Sequence, residues 1–195
     1  MVRPREFDED QALDAAMQVF WEKGFEATSL SDLTSRMGIQ RPSIYAAFGD
    51  KKQLFEAALR KYTQSHAACV RAKLQNSSSV KDAFYNFFGG VVAEEYEKES
   101  NKGCFCINTM VELAPHDERF EILTREHQMY LSAVFQATLE RGIQSGELEV
   151  TMDARALAHT LVSLLIGITV MMKSRPARSF VDHAVATALM LLDGK

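Results

Sequence analysis

Residues 28–48 read Thr28-Ser29-Leu30-Ser31-Asp32-Leu33-Thr34-Ser35-Arg36-Met37-Gly38-Ile39-Gln40-Arg41-Pro42-Ser43-Ile44-Tyr45-Ala46-Ala47-Phe48. Ser29 is a good N-cap, and Asp32 three residues later completes a capping-box pattern. Leu30, Leu33 and Met37 recur at helical spacing, so one face of this helix is expected to be buried. Gly38 ends it, because glycine adopts the left-handed conformation of a C-cap without a Cβ penalty. Ile39 follows as an apolar plug. Pro42 sits in the first turn of a second helix, where a missing N–H costs nothing. Ile44 and Phe48 anchor that helix inward and leave Gln40, Arg41, Ser43, Tyr45 and Ala46 outward. This is the layout of a helix-turn-helix, whose second helix enters the DNA major groove.

Residues 7–55 resemble the N-terminal domain of the TetR family of bacterial transcriptional repressors. The resemblance is carried by Ala15, Ala16, Phe20, Lys23-Gly24-Phe25, Thr28-Ser29, Asp32-Leu33, Gly38-Ile39, Ile44-Tyr45, Phe48, Asp50-Lys51 and Leu54-Phe55. It covers about a quarter of the chain tightly. Gln40 departs from the pattern, since the family usually places Ser or Thr there to cap the recognition helix.

Charge gives a weaker argument. The net charge is −4, so no global positive field draws the chain to DNA. Within residues 1–55 the cations are Arg3, Arg5, Lys23, Arg36, Arg41, Lys51 and Lys52, outnumbered by acids. Their placement matters more than their sum. Arg36, Arg41, Lys51 and Lys52 cluster around the second helix, while many acids fall on the first. Arg3 and Arg5 lie on a charged arm that is expected to be disordered rather than bound to DNA.

Arg41 and Gln40 are the candidates for base edges, Arg pairing with guanine and Gln with adenine. Thr28, Ser29, Pro42, Ser43, Tyr45 and Lys51 complete the candidate DNA surface. Thr28, Ser43, Tyr45 and Lys51 are assigned to phosphates, which fix position rather than sequence. Lys51 falls in the first turn of the next helix, beside free N–H groups that favour an anion.

Downstream the chain reads as helices throughout. Asp8 caps the first helix, and Asp50 with Gln53 caps a long fourth one running to about Leu74. Ser79 opens a fifth over 80–98, with Gly89-Gly90 leaving room for a ligand or a neighbouring helix. Further helices are expected over 104–114, 117–144 and 154–173, and from about Ser179 to Leu192. The fold class is therefore all-α, with about nine helices. Residues 1–55 form a three-helix DNA-binding domain, and 56–195 form a helical effector-binding and dimerisation bundle.

The last two helices are apolar enough to need a partner. Leu161, Leu164, Leu165, Ile168, Met172, Val181, Val185, Leu189 and Leu192 suggest a four-helix interface across a two-fold axis. The resemblance implies the same homodimer, and two recognition helices would then read a palindromic operator. Phe84, Phe88, Met110, Leu113, Met129 and Phe135 are candidate walls of a pocket for a small-molecule inducer, whose binding would shift the dimer between two arrangements.

Cys104 offers a different switch. It opens a helix beside Lys102, and a helix N-terminus lowers a thiol pKa. The Gly-Cys start resembles electrophile- and oxidant-sensing members of the same family. A buried, inert thiol is the competing expectation, supported by Phe105 and Ile107 nearby, and it is the preferred one for Cys104 as it is for Cys106 and Cys69. A third possibility is a helical protein-interaction module without DNA binding.

The histidines 66, 116, 127, 159 and 183 show no zinc-ligand spacing, and no metal or cofactor is expected. No phosphate loop or nucleophile elbow is present, so enzymatic activity is not expected. The apolar run from Leu161 to Met172 falls short of a ~20-residue membrane span. No apolar leader opens the chain, and a cytoplasmic protein is expected.

Overall fold

A computed structural model describes residues 7–97 and 102–193, and among them there are helices and no strands. The order is α1 (Glu9–Lys23), α2 (Leu30–Met37), α3 (Arg41–Phe48), α4 (Lys51–Gln75), α5 (Val80–Glu97), α6 (Phe105–Glu112), α7 (Glu118–Gln144), α8 (Ala154–Met171) and α9 (Arg178–Leu189). Short 3₁₀ turns, Met172–Ser174 and Met190–Asp193, follow α8 and α9. Arg3 and Arg5 lie outside the described residues.

Local chemistry sets the helix starts. Asp8 accepts from the N–H groups of Asp10 and Gln11. Ser29–Asp32 and Asp50–Gln53 are full capping boxes at α2 and α4, each satisfying donors the helix cannot. Gln40 makes no side-chain cap at α3, and Pro42 stiffens that first turn instead. Gly38 closes α2 at φ 68, a left-handed conformation that costs other residues about 1–2 kcal/mol.

Two apolar clusters hold the chain together. The first joins α1, α2 and α3 to the N-terminal half of α4 through Ala16, Phe20, Leu33, Ile44, Leu54 and Phe55. It also takes in Phe105, Leu113, Phe120 and Leu123 from α6 and α7. Phe55 sits at its centre, with ring centroids 4.8 Å from Phe20, 5.2 Å from Phe105 and 5.3 Å from Phe120. Each such ring contributes about 2–3 kcal/mol by burial. The second cluster packs α5, α7, α8 and α9 on the C-terminal half of α4.

Glu147 ties the start of this bundle together. Its carboxylate accepts from the Ser79 hydroxyl at 2.7 Å, the Val80 N–H at 2.7 Å and the Lys81 N–H at 2.9 Å. A side chain distant in sequence thus caps α5 alongside Ser79, and these hydrogen bonds hold its carboxyl below the usual range against the opposing effect of burial.

Two expectations need correction. The residues assigned to the dimer face mostly point inward: Leu161, Leu165, Ile168, Met172, Val181, Val185, Leu189 and Leu192 are all buried within this one chain. The apolar side chains left outside on the last two helices and their following turns are Val170, Met171, Phe180, Met190 and Leu191. Ala154–Ser174 does pass a length-and-composition test for a membrane span. Its apolar stripe packs in the second cluster, which accounts for its composition. A Cβ on Gly89 or Gly90 would meet no other atom of this chain within 4 Å.

Candidate nucleic-acid interface and effector cavity

The α2–turn–α3 unit presents a continuous polar surface. Ile44 is fully buried, which rotates Gln40, Arg41, Pro42 and Tyr45 outward, all exposed. Ser43 is half-buried. Arg41 Nη2 donates to Ser31 Oγ at 3.1 Å and so bridges α3 to α2. Lys51 lies 4.4 Å from the centroid of the Phe25 ring, which fixes its ammonium at the N-terminal end of α4.

Two candidate contacts are committed inside the chain. Thr28 is buried, and its hydroxyl donates to Gly24 O at 2.6 Å. Ser29 Oγ is held by the Asp32 carboxylate at 2.8 Å within the capping box. Both residues support the start of α2, and Thr28 offers DNA little surface.

Behind this unit lies a cavity of about 410 Å³, a size that suits a small organic molecule. Its wall includes Met17 and Trp21 from α1, Tyr62, His66 and Cys69 from α4, Phe87 and Val91 from α5, and Cys106, Ile107 and Met110 from α6. His127 and Leu131 of α7 and Leu165 of α8 complete it. Of the six predicted wall residues only Met110 lines it. Phe84, Phe88 and Phe135 are fully buried in the second cluster. Leu113 packs in the first cluster. Met129 is 66% exposed on the outer face of α7.

The cavity wall is mostly apolar, and its polar side chains include Ser65, His66, Lys73, Glu94, Glu95, His127 and Gln128. His66 Nδ1 and His127 Nε2 are 3.0 Å apart, one ring donating to the other. Burial holds both imidazoles at about 4, with Lys73 adding to the effect at His66 and His66 adding to it at His127. Both rings are therefore neutral at pH 7. Trp21 Nε1 donates to Gly103 O at 3.0 Å. Lys73 and Glu94 pair at 2.9 Å on the rim. The histidines are 61 residues apart, and no short-range pattern announces their contact.

Cys104 reaches the same wall. The Tyr62 hydroxyl donates to its Sγ at 3.3 Å. Its thiol pKa is raised, not lowered as the helix start suggests. Burial dominates, and it outweighs the hydrogen bonds from Tyr62 and from the N–H groups of Ile107 and Cys106. Cys106 is buried, and desolvation raises its thiol as well, with Cys104 adding to the effect. All three cysteines are free. Among the described residues no group of three or more His, Cys, Asp or Glu side chains is placed to hold a metal ion.

Comparison with known proteins places this architecture. The family described as "Bacterial regulatory proteins, tetR family" matches residues 12–58, and "Tetracyclin repressor-like, C-terminal domain" matches residues 81–188. The chain is 34% identical over 194 residues to the uncharacterized HTH-type transcriptional regulator YezE of Bacillus subtilis, covering 99% of this chain and 100% of that protein. It is 32% identical to the HTH-type transcriptional repressor ComR of Escherichia coli, over 97% of this chain and 90% of the relative. Among solved structures, a cysteine-substituted form of the TetR family transcriptional regulator CifR, complexed with double-strand operator DNA, superposes with a TM-score of 0.84. It is 33% identical over 96% of this chain and 97% of its own. A regulator from Cytophaga hutchinsonii, at 21% identity and a TM-score of 0.84, shares the fold. The two matched regions, one containing the helix-turn-helix and the other most of the bundle, together with these full-length relatives, show that the chain belongs to the TetR family of DNA-binding transcriptional regulators.

Proposed function

We propose that this regulator is a homodimeric repressor released from a palindromic operator when a neutral, largely apolar molecule fills the cavity. The observation that carries this is the course of α4. One continuous helix supplies Leu54 and Phe55 to the core of the DNA-binding unit and Tyr62 and His66 to the cavity wall. A molecule that prefers one position of α4 would shift the recognition helices by its differential affinity for the two states. The lining is mostly apolar and its imidazoles are neutral, which favours a largely apolar ligand, while Lys73, Glu94 and Glu95 on the same wall can meet a polar group on it.

In this reading residues 1–55 bind DNA and residues 56–195 sense and dimerise, in the cytoplasm. Gln40 and Arg41 read bases; Pro42, Ser43, Tyr45 and Lys51 contact the backbone, with Ser29 at the edge. Val170, Met171, Phe180, Met190 and Leu191 supply the apolar face for the second subunit. No cofactor or catalytic step is required.

The test is a mobility-shift titration on the DNA upstream of its own gene, repeated across a panel of neutral aromatic compounds. Saturable release by a compound that also raises the melting temperature supports the reading. Release by compounds that leave the melting temperature unchanged in DNA-free protein refutes it.

A second reading is favoured by one observation, the Cys104 thiol in the cavity wall. Here an electrophile or oxidant modifies Cys104 and its adduct takes the ligand's place. The raised pKa makes the reactive thiolate scarce at pH 7, so the reversible ligand is preferred. N-ethylmaleimide that releases DNA from the parent and not from Cys104→Ser would reverse that preference. The interaction module without DNA binding does not survive membership of this family.

A further inference from the structure

Glu112 is the last residue of α6, and its side chain leaves the bundle. Its carboxylate spans the turn between α1 and α2: Oε2 accepts from the Phe25 N–H at 3.1 Å and Oε1 from the Glu26 N–H at 3.0 Å. The fit is close. A Cβ on Gly24 would lie 2.8 Å from Oε2, and Gly24 has φ +80. The clamped turn leads directly into Thr28 and Ser29, which fix the start of α2. Arg41 then links α2 to α3 through Ser31.

The helix that carries Glu112 also forms cavity wall, from Cys106 and Ile107 in its first turn to Met110 one turn on. Cys106 and Glu112 are six residue steps apart along the helix, a rigid lever of about 9 Å. The segment before α6 is tied to α1 through Trp21 Nε1 to Gly103 O and Lys102 to Glu22, while the ring contact of α6 itself with that unit, between Phe105 and Phe55, is apolar, and such contacts tolerate sliding. Two hydrogen bonds to consecutive backbone donors do not, because charge-assisted bonds weaken steeply with misalignment.

We propose that Glu112 is the coupling residue that transmits the state of the cavity to the recognition helix, by pulling the α1–α2 turn whenever α6 is displaced. This rests on the cavity reading above. Glu112 touches neither ligand nor DNA; it positions the turn that carries α2.

A double-mutant cycle tests it without an identified inducer. Leu165→Trp drives an indole into the cavity from α8 and acts as a built-in occupant. Glu112→Gln keeps the shape but replaces one acceptor oxygen with an NH₂ group that opposes a backbone N–H. Dissociation constants for the protein's own upstream DNA are measured by anisotropy for the parent, both single variants and the double variant. Gly24→Ala, which displaces the carboxylate from the other side, serves as a second way of opening the clamp. Melting curves and dimer size select the variants that fold.

The expected result is that Leu165→Trp weakens DNA binding about tenfold or more in the parent. In either clamp variant the same substitution should cost less than about threefold, well short of full coupling. An equal loss in both backgrounds overturns the proposal and leaves the cavity reading standing. No loss in the parent, with the variant folded and dimeric, removes the cavity reading and Glu112's role with it.

Discussion

Acid should loosen this protein through the His66–His127 pair before it reaches the surface carboxylates. Each ring is held at about 4 against an ordinary 6.5, a gap of about 2.5 pKa units at ~1.4 kcal/mol each. The buried form is neutral, so below pH 6.5 the unfolded chain binds more protons than the folded one. The contribution is full above pH 6.5 and is lost as pH falls through 4. For one independent ring the loss is about 2 kcal/mol by pH 5 and about 3 kcal/mol by pH 4. Two rings sharing one hydrogen bond do not simply add, so about 2–4 kcal/mol at pH 5 is expected for the pair. That is a large part of the ~5–15 kcal/mol typical of a folded chain. The assay is urea unfolding from pH 7.5 to 4.5, at one protein concentration, of the parent and of a His66→Asn/His127→Gln double variant. Subtracting the two curves removes the carboxylates common to both. The difference should fall steadily from pH 6.5 downward. A flat difference would mean that the rings titrate alike in the folded and unfolded states, and the buried neutral pair would be refuted.

Arg41→Ala should weaken operator binding by about 1–3 kcal/mol and relax preference at one base pair, while the dimer and its melting temperature stay unchanged; anisotropy with single-base operator variants checks both. Glu147→Ala removes the acceptor of the Ser79, Val80 and Lys81 donors. It should cost about 2–4 kcal/mol and lower the melting temperature by roughly 5–12 °C. Phe180→Asp, on a side chain of α9 that is 59% exposed, should shift the protein toward monomer in sedimentation velocity and weaken DNA binding in parallel. N-ethylmaleimide should label exposed Cys69 well before Cys104 or Cys106 at pH 7, as mass spectrometry of timed digests would show, because burial raises both of the latter.

The helix-turn-helix was readable because its determinants are local. Ser29, Asp32, Gly38 and Asp50 act on residues at most a few positions away, and the structure shows each cap. Helix type and order followed from the apolar period in the same way. The cavity was not readable. Phe84, Phe88 and Phe135 have the composition of a binding wall, but period alone does not tell a core face from a cavity face, and all three fill the core. The individual residues assigned to the dimer face were misplaced for a related reason. Apolar residues at regular spacing mark the stripe buried within the chain, while the outward face of α8 is broken by Ser163 and Gly167. Glu112, Glu147 and the His66–His127 pair act across 61 to 87 residues, and no sequence window contains both partners. Cys104 shows a competition of physical effects. The helix N-terminus and the apolar neighbours that bury the thiol were both visible in the sequence, but which of the two effects is larger was not, and burial wins.

Trp21 gives the molecule an optical property of its own. It is the chain's one tryptophan, it stands in the cavity wall, and its ring meets Tyr62 edge-on at 5.0 Å. Excited at the red edge of its absorption, where tyrosine is dark, the protein emits from that wall alone. Any compound that enters displaces what lies against the indole and changes the colour or yield of that emission. The unlabelled regulator is thus its own fluorescent sensor, and a cuvette suffices to search for what it senses.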